Sequence, residues 1–335
     1  MKILITGSTG FLGRRTVAAL TPRHSLRLLV RPKASRERFP AGVEFVPGDV
    51  TDAASLTSAA AGCDAILHAA ALVKIDAPAA EFERVNVGGL ENVLAAAEVA
   101  RVGKIVYVSS FIALGPTERG PGGELDERAE SAELEGRAWI NDYERTKTIS
   151  DRRARQAIAA GVPLVVVYPG VIYGPGEITE GNIVVRHLLD LAHRRLPALV
   201  GRAERRWNYV FVDDVAAGIV ATLERGDFGR RYLLGGENVT QAELYRLIAE
   251  IGRIRVPRLR MPDFLAAASG AMMKTWARWT GGVPKLTPDL VEIYRHDWAY
   301  DSTTAARELG YRPRSLRAGL TATIAWLRET GAWPA

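Results

Sequence analysis

Tyr143 and Lys147 are the residue pair whose spacing most directly suggests chemistry. They are four residues apart in the segment Tyr-Glu-Arg-Thr-Lys, a spacing that places both side chains on one face of a helix. A phenol has a pKa of about 10 and is a poor base at neutral pH, but a nearby ammonium group favours the phenolate. The pair therefore predicts a proton donor or acceptor, although a surface tyrosine beside a lysine would give the same spacing.

A serine pair supplies a second polar group. Ser109 and Ser110 directly follow the apolar run Ile105–Val108, and ligands of parallel sheets bind where the strands end. A hydroxyl at that edge can donate to a carbonyl or alkoxide oxygen while Tyr143 moves the proton. The alternative is a serine that caps a turn or a short helix.

Three glycines near the start of the chain suggest what lies beside these groups. Gly7, Gly10 and Gly13 follow the apolar run Lys2–Ile5 and Thr6, and a helix-compatible stretch continues through Leu20. In such a turn the glycines permit the tight bend, close approach of the backbone to a pyrophosphate, and close packing of helix on strand. The helix N-terminus holds the anion. The order predicts a dinucleotide site, with an ordinary strand-to-helix turn as the alternative.

The elements that must position these groups alternate along the first half of the chain. Near-continuous runs of Val, Ile and Leu between helical patterns predict a parallel sheet covered on both faces, hence an α/β fold with a doubly wound sheet. The predicted strands cover residues 26–30, 43–46, 65–68, 105–109 and 164–168, and the Ala-rich helices cover 53–61, 81–100 and 144–160.

The second half has shorter and more interleaved patterns. We predict helices at Ile183–Arg195, Gln241–Gly252 and Leu316–Glu329, and a strand at Asn208–Val212 that leads into another helix. We therefore expect a dinucleotide-binding Rossmann domain and a smaller substrate-binding lobe that closes over it. The domain takes 1–170 plus about 206–235, and the lobe takes about 171–205 and 236–335.

Composition narrows the class further. The 335 residues are 47% hydrophobic and 24% charged, with a net charge of +6 spread along the chain, which is typical of a globular protein without a nucleic-acid footprint. A single cysteine, Cys63, and five unclustered histidines predict no metal site. Without a leader pattern or an apolar run of about 20 residues, the cytoplasm is the expected location.

Taken together, these motifs resemble the extended short-chain dehydrogenase/reductase superfamily nearly end to end. The segment Thr6–Gly13 resembles its cofactor loop, Gly48–Asp52 its adenine-contacting segment, His68–Ala71 its strand-end motif, and Asn86–Gly89 its helix-start segment. The resemblance implies cofactor contacts at Gly7, Thr9, Gly10, Phe11, Leu12, Gly13, Asp49, Val50, His68, Ala69, Ala70 and Asn86.

The same resemblance assigns the chemistry. Ser110 aligns with the catalytic hydroxyl, and Tyr143 and Lys147 fall on the catalytic pair, where Lys147 also reaches the cofactor ribose. Tyr168–Gly176 resembles the loop that meets the nicotinamide, with implied contacts from Tyr168, Pro169, Gly170 and Val171.

Within the superfamily the chain is most similar to the dihydroflavonol-reductase branch, including farnesol-dehydrogenase-like and hopanoid-associated members. The implied activity is NAD(P)-dependent interconversion of an apolar alcohol (prenyl, aryl or steroid-like) and its carbonyl. A nucleotide-sugar epimerase is the alternative. Dehydratases carry Asp-Glu after the catalytic hydroxyl, whereas Phe111 and Ile112 follow Ser110 here. A non-catalytic cofactor-binding regulator is a third possibility, disfavoured by the intact Tyr143 and Lys147.

Cofactor preference and partners complete the expectations. Arg31 follows the second predicted strand where NAD-preferring proteins commonly have a carboxylate, and an arginine there favours the 2′-phosphate of NADP, with NAD as the alternative. Besides a small-molecule substrate, the only partner implied is a second copy in a possible homodimer packed through about 82–100 and 144–160.

The segment Pro257–Pro288 carries an aromatic and methionine pattern of helical spacing. It is formed by Phe264, Leu265, Met272, Met273, Trp276 and Trp279. We predict a helix that packs on the core, and a lid over an apolar pocket is the alternative.

Overall fold

A seven-stranded parallel sheet forms the centre of the molecule. The computed structural model describes residues 1–74, 77–117, 138–178, 182–280, 282 and 284–334. In this part the strand order is β3-β2-β1-β4-β5-β6-β9, and every neighbouring pair is parallel. The strands are β1 (Lys2–Thr6), β2 (Ser25–Val30), β3 (Glu44–Pro47), β4 (Ala65–His68), β5 (Lys104–Val108), β6 (Leu164–Pro169) and β9 (Arg231–Leu234).

Helices cover both faces of this sheet. Alternate residues of a strand point to opposite faces, so Leu4 and Ile66 enter one apolar cluster while Ile3 and Leu67 enter the other. The predicted doubly wound α/β fold is confirmed. The helices of this half are α1 (Phe11–Leu20), α2 (Ala53–Ala60), α3 (Ala79–Phe82), a π-helical turn (Glu83–Val87), α4 (Gly88–Val99), a 3₁₀ turn (Phe111–Leu114) and α5 (Asp142–Ala159).

A smaller mixed sheet lies in the second half. Its order is β10-β8-β7, with β7 (Val171–Tyr173) parallel and β10 (Glu237–Thr240) antiparallel to β8 (Arg206–Phe211). Strands β7, β9 and β10 have only three or four residues each, and the sequence analysis did not predict them. The remaining helices are α6 (Ile183–Ala192), α7 (Val212–Arg225), α8 (Gln241–Gly252), α9 (Asp263–Thr280), α10 (Pro288–Tyr294), α11 (Thr303–Leu309) and α12 (Leu316–Glu329).

Helix α9 forms where the sequence predicts it but faces the other way. It packs through Ala266, Gly270 and Ala277, and a Cβ on Gly270 would lie 2.8 Å from the backbone of Thr287. The large apolar side chains point outward. The prediction that they pack on the core is therefore wrong for Phe264, Leu265, Met272, Met273, Trp276 and Trp279. Small residues form the contact because they let α9 approach α10 closely.

Candidate active site

The turn between β1 and α1 has the shape of a phosphate cradle. Gly7 adopts φ +76°, and a Cβ there would lie 2.5 Å from the backbone nitrogen of Ala70. A Cβ on Gly13 would overlap the carbonyl group of Gly7, whereas one on Gly10 would lie 3.4 Å from the same oxygen. Gly7 and Gly13 therefore allow the close backbone contacts within and around the turn. Gly10 leaves open the space that a pyrophosphate would need.

The start of α1 presents its backbone donors to this cradle. Gly10 is the N-cap residue, and within the described part of the chain no side chain caps the helix. Thr9, Phe11 and Leu12 complete the turn, and the buried Ser8 hydroxyl beside them has no hydrogen-bond partner in the described ranges of the chain. Unused backbone N–H groups and an unpartnered hydroxyl at a helix N-terminus fit a bound dinucleotide phosphate.

His68 ends β4 beside the glycine turn. Its Nδ1 lies 2.7 Å from the Thr6 hydroxyl oxygen, and this oxygen also accepts from the Ala70 backbone 3.3 Å away. Burial, together with the positive charge of Lys147, lowers the pKa of His68 to about 3, so the ring is neutral. Its Nε2 is buried and has no hydrogen-bond partner among the residues that the structure describes. The Thr6 hydroxyl, which bonds both the His68 ring and the Ala70 backbone, holds Ala70 beside Gly7 and so forms the wall of the cradle.

The segment after β3 is held rigidly at the same edge of the sheet. One Asp49 carboxylate oxygen accepts from both the backbone and the hydroxyl group of Thr51, each at 2.9 Å. The Val50 carbonyl accepts from Asn92, 2.9 Å away. The predicted adenine segment thus lies at the expected edge, with the Val50 side chain buried.

Asn86 connects the loop after β4 to α5. Its side chain accepts a 2.8 Å hydrogen bond from the Leu72 backbone and donates to the Thr146 hydroxyl at 3.1 Å. The backbone carbonyl of Asn86 accepts a 3.0 Å hydrogen bond from the Ser150 hydroxyl. Asn86 was predicted as a cofactor contact, and the structure shows its amide holding the cradle wall to the helix that carries Tyr143 and Lys147.

Ser110 and Tyr143 meet between β5 and α5. Ser110 is the N-cap residue of the 3₁₀ turn, and its hydroxyl oxygen accepts from the Ile112 backbone at 3.3 Å. Burial raises the pKa of Tyr143 to about 12, and a hydrogen bond with Ser110 opposes this rise. Ser110 therefore caps the 3₁₀ turn, as the alternative interpretation predicted. Its hydroxyl is also the group that can donate a hydrogen bond to a phenolate at Tyr143.

Lys147 lies inside the protein one helical turn after Tyr143. Its ammonium nitrogen is 3.4 Å from the Val108 carbonyl oxygen and 5.4 Å from the centre of the Tyr107 ring. Burial lowers the pKa of Lys147 to about 8. A cation held here, at the ends of β4 and β5, supplies the field that a phenolate at Tyr143 needs.

The segment at the end of β6 and after it runs from the core to the glycine turn. The Tyr168 hydroxyl donates to Asp151 of α5 at 2.5 Å, so this side chain belongs to the core. A Cβ on Gly170 would overlap the Asn208 side chain. Gly170 therefore allows a tight connection between Pro169, the last residue of β6, and Val171, the first residue of β7. Further along, Gly176 packs on Phe11, because a Cβ at Gly176 would lie 2.7 Å from its ring.

Arg31 immediately follows β2 and is exposed. In the part of the chain that the structure describes, its guanidinium group has neither a hydrogen bond nor an ion pair, so it is available to an anion. The neighbouring Arg36 differs, since it lies 5.6 Å from the centre of the Phe45 ring.

An aromatic wall beside Ser110 was missed by the sequence analysis. Phe111 packs edge-on against Trp298 and Tyr300, with ring centroids 5.5 and 5.7 Å apart. The Tyr300 hydroxyl also donates to the Gly115 carbonyl. Nearly two hundred positions separate these partners, and the only available signal was the aromatic cluster Trp-Ala-Tyr at 298–300.

A parallel sheet of this order with a glycine turn after β1 defines a Rossmann-type protein. The chain belongs to the NAD dependent epimerase/dehydratase family, whose model matches residues 3–235. No metal-binding cluster of His, Cys, Asp or Glu occurs among the described residues. Over the same described residues, no helix is long and apolar enough to cross a membrane.

Three relatives illustrate the range of similarity. The chain is 31% identical to sterol demethylase protein B of Methylococcus capsulatus, over 99% of both chains. It is 32% identical to the 4-hydroxy-2-methyl-3-oxo-4-farnesyl-3,4-dihydroquinoline-1-oxide ketoreductase of Stigmatella aurantiaca, over 94% of this chain and 92% of the relative. The solved structure of gox2253 is similar with a TM-score of 0.80, 31% identity and 99% of both chains covered.

Proposed function

We propose that the protein is an NAD(P)-dependent oxidoreductase that interconverts an apolar alcohol and its carbonyl. The observation that carries this proposal is the placement of Tyr143 beside Ser110 with the buried Lys147 one turn away. These groups provide an acid/base, a donor to the reacting oxygen and a fixed positive charge.

The residues divide the proton chemistry among them. In the oxidation direction Tyr143, as phenolate, accepts the proton of the substrate hydroxyl, and Ser110 donates a hydrogen bond to the oxygen that becomes the carbonyl. Lys147 lowers the cost of the phenolate and lies where it can also bind a ribose hydroxyl. The glycine turn would hold a nicotinamide dinucleotide, which would supply the hydride acceptor for the carbinol carbon.

An apolar substrate is supported by two observations. Phe111, which follows Ser110, is partly exposed and packs on the buried rings of Trp298 and Tyr300, and such a phenyl ring suits a hydrocarbon or aromatic group. Two relatives are named for a sterol and for a farnesylated quinoline. These names support prenyl, aryl and steroid-like alcohols as the proposed classes, and the motif after Ser110 supports the dihydroflavonol-reductase-like branch.

A substrate panel tests the proposal. Purified protein is assayed with NADP⁺ and NAD⁺ against a prenyl alcohol, an aryl alcohol and a sterol, with UDP-sugars as competitors. We expect reduced-cofactor absorbance to rise with apolar alcohols and UDP-sugars to compete poorly. Tight UDP-sugar binding, with sugar epimerised and no net cofactor reduction, would instead assign the protein to the epimerases.

A further inference from the structure

Six of the twelve exposed large apolar side chains among the described residues lie on α9. Phe264, Met272, Trp276 and Trp279 are 72%, 70%, 70% and 86% exposed, and Leu265 is half-exposed. At 100° per residue these five positions fall within about 120° of the helix circumference. The buried residues Ala266, Gly270 and Ala277 lie on the opposite side.

A basic segment without regular secondary structure leads into this helix. Residues 253–260 read Arg-Ile-Arg-Val-Pro-Arg-Leu-Arg. Arg253, Arg255 and Arg258 are exposed, and none of them forms an ion pair with any residue the structure describes. Leu259, between two of the arginines, is 69% exposed. Apolar and cationic groups are therefore presented together.

The charge of the region is strongly one-sided. Between residues 251 and 280 there are six Lys or Arg residues and one acidic residue, Asp263, a difference of 6 − 1 = 5 positive charges. The whole chain carries +6, so most of the net charge lies in this segment. Asp263 faces Arg202 and Arg295, at 3.8 and 3.6 Å, and does not neutralise the exposed arginines.

We propose that α9 and the preceding basic segment, residues 253–280, dock on the surface of a membrane that contains anionic lipids. Tryptophan is favoured at the boundary between lipid headgroups and acyl chains, and a helix with one apolar face lies in that plane. Each lysine or arginine near an anionic surface adds further attraction. Because the inner face of α9 packs on α10, the helix would lie on the surface of the bilayer, with only its outer face in contact with lipid.

Charge decides between a bilayer and a second copy of the chain. A twofold contact through α9 would bring two identical basic segments towards each other, and like charges repel. An anionic bilayer complements the same charge. The inference does not depend on the proposed oxidoreductase activity, because docking needs neither cofactor nor substrate.

Vesicle sedimentation tests the docking. The full chain is spun with phosphatidylcholine–phosphatidylglycerol vesicles and, separately, with pure phosphatidylcholine vesicles. We expect stronger binding to the mixed vesicles and weakening by added salt. The double variant Trp276→Ala/Trp279→Ala should lose about tenfold in partition coefficient or more, because two large apolar groups no longer enter the interface.

Two further variants make the result specific. Arg255→Glu/Arg258→Glu should lose about tenfold or more on mixed vesicles only. Phe228→Ala, which removes a 62% exposed aromatic residue outside the region, should bind as the wild type does. All substituted side chains are exposed, so folding should be unaffected, as circular dichroism will show.

Three outcomes would overturn the proposal. They are the absence of binding to either vesicle, binding that is unchanged in the tryptophan double variant, and a wild-type dimer in light scattering that this variant converts to a monomer without vesicle binding. The last outcome would assign the face to self-association. Quenching of tryptophan fluorescence by brominated lipid chains, lost on removal of Trp276 and Trp279, would support insertion of this face.

Discussion

At the residue scale, the site depends on where burial places charge. Lys147 is 2% exposed and Tyr143 lies one turn before it on α5. Burial lowers the pKa of Lys147 to about 8 and raises the pKa of Tyr143 to about 12, so at neutral pH Lys147 is mostly protonated and Tyr143 is a neutral phenol. We propose that the positive charges of Lys147 and of an oxidised nicotinamide together favour the phenolate of Tyr143.

Replacement of Tyr143 tests the proton-transfer role. Tyr143→Phe removes the hydroxyl and keeps the ring, so cofactor affinity should be preserved while turnover falls by a factor on the order of 10² or more. Steady-state kinetics and a cofactor titration measure the two effects. Tyr232→Phe on the edge strand β9 is the control, and turnover near wild type in Tyr143→Phe would contradict the assignment.

Arg31 should set cofactor preference. Arg31→Ala is expected to weaken NADP binding by roughly 1.5–3 kcal/mol, the range for a lost charged hydrogen bond, with little effect on NAD. Calorimetric titration of both cofactors measures the difference. Arg23→Ala, just before the opposite end of β2, should change neither affinity. Equal losses for NAD and NADP in Arg31→Ala would refute this role.

At the element scale, the glycine turn separates folding from binding. A Cβ at Gly13 would collide with the Gly7 backbone, whereas at Gly10 it would meet only the Gly7 oxygen at 3.4 Å. The turn therefore tolerates a side chain at the central glycine and not at the third. Fold and cofactor site depend on different members of one motif.

This separation predicts opposite behaviour for two substitutions. Gly10→Val should remain folded and lose cofactor affinity, because its side chain enters the pyrophosphate space. Gly13→Ala should lower the free energy of unfolding, because α1 must move away from β1. Urea unfolding and calorimetric titration distinguish the two. Unchanged affinity in a folded Gly10→Val variant would show that the phosphates bind elsewhere.

At the scale of the whole molecule, neutral buried histidines couple stability to pH. Burial lowers the pKa of His187 to about 4, and its Nε2 lies 2.9 Å from the Tyr245 hydroxyl oxygen. Between pH 6.5 and 4 the unfolded chain binds more protons than the folded one at this residue. Stability therefore falls as pH falls through this window.

His187→Gln should reduce that loss. The free energy of unfolding of the wild type should fall faster than that of the variant, by up to about 1.4 kcal/mol per pH unit. Urea unfolding at pH 7 and at pH 5 gives both slopes, and the pH 7 difference between the two proteins corrects for the lost packing. Parallel slopes would show that His187 is charged in the folded protein.

The sequence by itself determined the features that depend on local spacing. The glycine turn and the helical face shared by Tyr143 and Lys147 follow from short-range geometry, as do the alternating elements of the doubly wound sheet. The bounds Gln241–Gly252 and Leu316–Glu329 were predicted as the structure has them, because caps and helical periodicity are local signals.

Only the tertiary structure decided what depends on distant partners. The short strands β7, β9 and β10 are defined by pairing rather than by pattern. The wall of Phe111, Trp298 and Tyr300 joins remote segments. Helical periodicity also could not tell which side of α9 packs on the protein, because an apolar stripe has the same pattern whether it contacts the protein core or a membrane. Its direction was settled by the close contact at Gly270.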